Sequence, residues 1–128
     1  MFNDHGTQPV LQRGMDCTYI GKGVKYGDCF KVPGSVQIER TWPEDKESLA
    51  VMLRNTRYFF TWDLVTQTNC DAIRCGAIMV VMKWHPFTPD VLTSSELGKL
   101  PYAEATVVNN ALQLSYDAVE YEAKRQDF

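Results

Sequence analysis

Two histidines, His5 and His85, are the only side chains in this chain whose ordinary pKa lies near neutrality. General acid–base chemistry would fall to them, or to carboxylates shifted by their surroundings. His85 stands between Trp84 and Pro86 at the end of an apolar run, where it can face a cleft, whereas His5 lies in an irregular lead-in. No serine or cysteine keeps a recognisable nucleophile spacing to either histidine. The patterns H-E-x-x-H, G-x-S-x-G, H-x-E…P-C-x-x-C and D-x-D-x-D-G are all absent. The four cysteines, Cys17, Cys29, Cys70 and Cys75, are spaced C-x11-C-x40-C-x4-C. Only the last two approach the spacing of a zinc knuckle, so free thiols are expected, with Cys70 and Cys75 able to close a small loop under oxidation. No metal and no cofactor is expected.

Gly21, Gly23 and Gly27, with Lys22 and Lys25 between them, raise the question of a phosphate cradle. Their spacing, G-x-G-x-x-x-G, is neither that of a P-loop nor that of a dinucleotide fingerprint, and no helix is evident directly after it. Glycines flanking short strands more often serve tight turns. Lys22, Lys25 and Lys31 alternate with Tyr19, Tyr26 and Phe30, a mixture on which bases can stack. The whole chain nevertheless carries 13 Lys and Arg against 16 Asp and Glu, a formal charge of -3. An acidic balance gives little phosphate affinity, so nucleic acid is not an expected partner.

The elements that must position these residues follow from pattern. A length of 128 residues suits one domain, and 45% hydrophobic residues suit a globular one. Residues 1–14 form an N-terminal arm with Phe2, Val10 and Leu11 available for docking, and residues 15–128 form a single domain. Cys17–Ile20, Asp28–Val32 and Ser35–Arg40 favour short strands ended by glycine or proline. Thr41-Trp42-Pro43-Glu44 has the form of a capping box, which predicts a helix over 43–55. Tyr58–Gln67 alternates in polarity and Gly76–Trp84 is apolar on both faces, so these two are expected to pair as a hairpin across a loop at Thr68–Cys75. The prolines of His85–Asp90 break the second of them, and Thr93–Glu96 starts a short turn of helix. The expected core is Ile20, Phe30, Val36, Ile38, Leu49, Leu53, Phe60, Trp62, Leu64, Ile78, Val80, Met82, Val107, Ala111 and Leu114.

The tail is the least ordinary segment. Ala103, Val107, Ala111, Leu114, Ala118 and Tyr121 recur every three or four residues, and no charge occurs from Ala105 to Tyr116. The spacing predicts one helix over Tyr102–Arg125, about 36 Å long and able to cross the domain. The resulting expectation is an α+β fold: an antiparallel sheet of about five strands, one short central helix, and a long C-terminal helix packed on one face.

Three functions are carried forward. The first is a non-enzymatic assembly or interaction protein, binding itself or another protein through Phe2, Val10, Leu11 and the stripe Ala103, Val107, Ala111, Leu114, Ala118 and Tyr121. A viral structural protein is one such setting by analogy. The second is a monomeric inhibitor or regulator of one host protein. The third is a small enzyme or nucleotide-binding protein using His85 and the Gly21–Gly27 loop. Met1–His5 has neither the basic nor the apolar region of a signal peptide, and the longest apolar run, Ala77–Met82, is too short to span a bilayer. A soluble protein of the cytoplasm, or of a virion assembled there, is expected.

Overall fold

Ile78-Met79-Val80-Val81-Met82 has no exposed residue, and such a strand belongs in the interior of a covered sheet. The computed structural model describes residues 2, 8–21, 29–63, 66–82 and 100–128 and places this strand there. In chain order the strands are β1 (Met15–Tyr19), β2 (Val36–Ile38), β3 (Thr56–Thr61), β4 (Ile78–Met82), β5 (Ala103–Val108) and β6 (Ala111–Ser115). The helices are α1 (Lys46–Arg54), α2 (Gln67–Arg74) and α3 (Ala118–Asp127), and a 3-10 turn covers Val10–Gln12. The sheet order is β2-β1-β3-β4-β5-β6. Every pairing through β5 is parallel, and β6 alone runs antiparallel, against β5.

The sheet is therefore mixed and six-stranded, where an antiparallel sheet of about five strands was expected. The reason lies in Thr68–Cys75. Rather than a hairpin loop, it is most of α2, and a helical crossover returns the chain so that β4 runs parallel to β3. Thr66 caps α2, its Oγ1 accepting from the Thr68 amide at 3.3 Å. The long C-terminal helix is also absent. Its first half is the β5–β6 hairpin, and only Ala118–Asp127 is helical. Asn109 and Asn110 have φ of 51° and 64°, the left-handed pair that a two-residue hairpin turn requires and that asparagine tolerates.

Alternation along the strands divides the core between the two faces. On one face Cys17, Phe59 and Ala77 meet Leu53 of α1 and Ala72 of α2, and Met79 and Val81 meet Ile73 of α2. On the other, Phe60, Trp62, Ile78, Val80, Ala103 and Ala105 gather with Val32 and with Tyr121 of α3. The helix expected at 43–55 occupies 46–54. Its cap is Asp45, whose carboxylate accepts from the Ser48 amide at 2.7 Å, rather than Thr41. Of the expected core, Ile38, Leu53, Phe60, Trp62, Ile78, Val80 and Met82 are buried. Ile20, Phe30, Val36, Leu49 and Val107 are half-buried, whereas Ala111 and Leu114 are exposed on β6. Cys29–Val32 forms no strand among the described residues. Leu64, the proline-rich break and the second capping box at Thr93–Glu96 lie outside the described residues. Among the described residues no helix is long and apolar enough to cross a membrane.

Candidate functional site

The strand order 2-1-3-4-5 has one reversal. From β1 the chain goes outward to β2, then returns past β1 to form β3 on its other side. Connections leaving neighbouring strands in opposite directions open a crevice outside the carboxyl ends of those strands, which is where open parallel sheets place ligands. Here that position lies at the ends of β1 and β3 and the start of α2.

Three local features fill it. The β1–β3 ladder continues past the named strands, with the Trp62 amide donating to Tyr19 O at 2.9 Å. Beyond it Gly21 turns with φ of +49°, and a Cβ there would lie 2.5 Å from Tyr19 Cε1 and 2.7 Å from Asp63 Oδ2. Only glycine fits, so the backbone approaches the Asp63 carboxylate directly. Asp63 is 4% exposed, and among the described residues it is the only buried carboxylate-bearing side chain. Its position is fixed by a small knot of hydrogen bonds. Thr61 Oγ1 donates to Asp63 O at 2.9 Å and accepts from the Asp63 amide at 3.2 Å. Asn69, in the first turn of α2, donates from Nδ2 to the same Asp63 O at 2.7 Å. That bond holds the Asn69 carboxamide at the β3–α2 junction, where its Oδ1 is buried and has no partner among the described residues.

A pinned segment flanks the crevice on one face of the sheet. Trp62 Nε1 donates to Phe30 O at 3.0 Å, and the two rings meet edge-on with centroids 5.2 Å apart. Thr18 Oγ1 accepts from the Val32 amide at 3.1 Å and lies 2.7 Å from Ser35 Oγ. Beside this segment an open apolar groove of about 530 Å³ runs between Phe30, Val32 and Pro33 on one side and Val107 and Leu112 on the other.

The thiols are not part of this chemistry. Burial pushes Cys17 up to about 11 and Cys75 up to about 11, so both stay protonated and poorly nucleophilic at neutral pH. Burial raises Cys70 as well. All four cysteines are free thiols in this structure, Cys17 and Cys75 buried and Cys29 and Cys70 half-buried. Among the described residues no three His, Cys, Asp or Glu side chains converge on a point that could hold a metal.

The sequence-derived interaction residues do not share one surface. Phe2 packs against the Cys17 cluster and Val10 against the Phe60 cluster. Leu11 is exposed. Ala103 is buried in β5 and Val107 half-buried, whereas Ala111 and Leu114 lie exposed on β6 and Ala118 is exposed on α3. Tyr121 is buried, its hydroxyl accepting from the Met79 amide and donating to Ala77 O at 2.9 Å each. Of the Gly21–Gly27 loop, Gly21 stands in the crevice, while Gly23, Gly27, His5 and His85 lie outside the described residues. Of the basic-aromatic stretch, Tyr19 is buried, Phe30 half-buried and Lys31 exposed. Asp63 and Asn69 escaped the sequence reading. Their one signal is a strand rich in aromatic residues, followed two residues after its end by Asp63 and then by the Thr66 cap. Comparison of the chain with family models, with curated proteins and with solved structures finds no match in any of the three.

Proposed function

We propose that this protein binds a small, hydroxyl-bearing anionic molecule of the nucleotide type in the crevice between β1, β3 and α2. The observation that carries the reading is the meeting of Gly21, Asp63 and the first turn of α2 at the single reversal of strand order. Each part has a task. Gly21 brings main chain directly against Tyr19 and the Asp63 carboxylate at the end of β1. The Asp63 carboxylate is an acceptor for hydroxyl or amino groups, in a setting dry enough to strengthen such bonds. The positive end of α2 favours an anionic group nearby, although its Thr68 and Asn69 amides are already bonded to Thr66. Asn69 supports the reading, because its buried carbonyl oxygen has no partner among the described residues and such an atom is costly unless something fills the gap. This is the third function carried from the sequence, with its centre moved onto Gly21, Asp63 and Asn69.

Amide chemical shifts of the labelled protein, titrated separately with uridine diphosphate, adenosine diphosphate and inorganic phosphate, test it. Saturable shifts are expected at Tyr19, Gly21, Asp63, Thr66 and Asn69, and Asp63→Asn should weaken the nucleotides more than it weakens phosphate. Absence of saturable shifts at millimolar ligand, or shifts scattered over the surface, would overturn the reading.

Self-association, the first of the sequence-based functions, is a separate proposal. Its support moves from a helical stripe to strand β6, all of whose residues are exposed.

A further inference from the structure

The two edges of the sheet are unlike. β2 is three residues long and is bounded by Pro33-Gly34 on one side and Glu39-Arg40 on the other. A short strand hemmed by proline and charge is a poor template for another chain. β6 is five residues long and exposed throughout. It pairs with β5 in continuous register, without a bulge. From Ala105 to Tyr116 there is no charged residue and no proline. Charge, proline, bulge and shortness, four of the devices that natural sheets use to blunt an edge, are missing from β6. Among the described residues nothing pairs with its outer side.

We propose that β6 is the edge through which two copies of this chain join, strand β6 against strand β6, antiparallel about a two-fold axis at Gln113. The proposal rests on the self-association reading and adds to it a site and a register. A two-residue turn makes Val108 and Ala111 a hydrogen-bonded pair, in agreement with their register. By alternation, the N–H and C=O groups of Ala111, Gln113 and Ser115 face β5, and those of Leu112 and Leu114 face outward. An axis through Gln113 sets Leu112 opposite Leu114 of the second copy, and Leu114 opposite its Leu112. Each of these pairs exchanges two main-chain hydrogen bonds, and Gln113 meets its own copy between them. The sequence Ala-Leu-Gln-Leu-Ser is nearly symmetric about its centre, as a two-fold interface requires.

Side chains agree with this register. Leu112 and Leu114 pair with Val107 and Ala105, which puts them on the face that carries the apolar groove. Leucines of a second copy would continue that surface. Each copy carries a net charge of -3, and the uncharged edge keeps like charges out of the contact. A contact of five strand residues is smaller than the roughly 1,200–2,000 Å² of a standard interface, so the dimer exchanges with monomer rather than being permanent.

Sedimentation velocity over a dilution series reads the association. The weight-average mass is expected to rise with concentration from 14.6 kDa toward twice that value. Leu112→Lys combined with Leu114→Lys, both at exposed positions, should raise the dissociation constant at least about ten-fold with unchanged circular dichroism. Val119→Lys changes a residue of α3 that is 82% exposed and should leave the constant unaltered. Gln113→Cys, in a chain with Cys29→Ser and Cys70→Ser, should give a disulfide-linked dimer on mild oxidation, because residues facing each other at a non-hydrogen-bonded antiparallel pair lie within disulfide reach. A strict monomer at every concentration would overturn both the edge and self-association. A dimer that the double lysine variant leaves intact and Gln113→Cys does not cross-link would overturn the edge while self-association stands.

Discussion

Tyr121 completes the hydrogen bonding of a strand from a different element. β5 first pairs with β4 at Val80↔Ala103, which leaves the start of β4 with main-chain groups that no strand among the described residues reaches. The Tyr121 hydroxyl takes both, accepting from the Met79 amide and donating to Ala77 O. Burial in that position pushes its phenol well above the usual range. Tyr121→Phe keeps the ring and strands two buried polar groups, so it should destabilise the protein by about 1–3 kcal/mol with little change in denaturant slope. Urea unfolding followed by circular dichroism measures this. Gly21 is constrained in the opposite sense, by what it lacks. Gly21→Ala adds a methyl where Tyr19 and Asp63 stand within 2.7 Å, in a left-handed conformation that costs an L-residue roughly 1–2 kcal/mol by itself. Lower thermal stability is expected, together with shifted amides at Tyr19 and Asp63. An unchanged melting temperature would mean that this crowding is relieved by free movement of the two side chains.

At the level of elements, the central strands were legible in the sequence and their direction was not. Tyr58–Thr61 and Ile78–Met82 have the β-branched and aromatic content of buried strands, and period 2 separates Phe60 and Trp62 from Phe59 and Thr61. Direction depended on α2, whose Gln67-Thr68-Asn69-Cys70-Asp71 opening is too polar to read as a helix. Tertiary packing of Ala72 and Ile73 fixes it instead. The segment after Tyr102 misled for a related reason. Small apolar residues at spacings of three and four also satisfy a hairpin when a turn falls between them, and Asn109-Asn110 is that turn. The crevice was half legible: the Gly21 cluster drew notice, but Asp63 and Asn69 acquire meaning only when β1 and β3 become neighbours. One consequence is testable on the hairpin alone. Asn110→Gly removes the residual cost of φ +64° and gives the Asn-Gly pair favoured in such turns. It should raise stability by about 0.5–1 kcal/mol, whereas Asn110→Val should lower it by about 1–2 kcal/mol. A single urea series on the two variants decides the sign.

Across the whole molecule, burial of ionisable groups that stay neutral sets the alkaline limit of stability. Cys17 and Cys75 lie in one apolar cluster with Phe59 and Leu53. Burial raises each from 9.0 to about 11, and Cys70 and Tyr121 move in the same direction. Unfolded, these thiols lose their protons near pH 9; folded, they keep them until about 11. Between those values the folded protein binds more protons than the unfolded chain, so stability must fall as pH rises through the window. Below pH 9 both states hold the thiol protons and the contribution is constant. On the acid side two carboxylates oppose one another. Hydrogen bonds from Ser48 lower Asp45, which favours folding above its titration, whereas burial raises Asp71, which favours folding below its own. The alkaline limb is therefore the steeper one attributable to these groups. Urea midpoints measured from pH 7 to pH 11 should be flat at first and then decline, and Cys17→Ala should make the decline shallower whatever it costs at neutral pH. A midpoint that stays level from 9 to 11 would mean that water reaches these thiols, and with it the interior between the sheet and its two crossover helices.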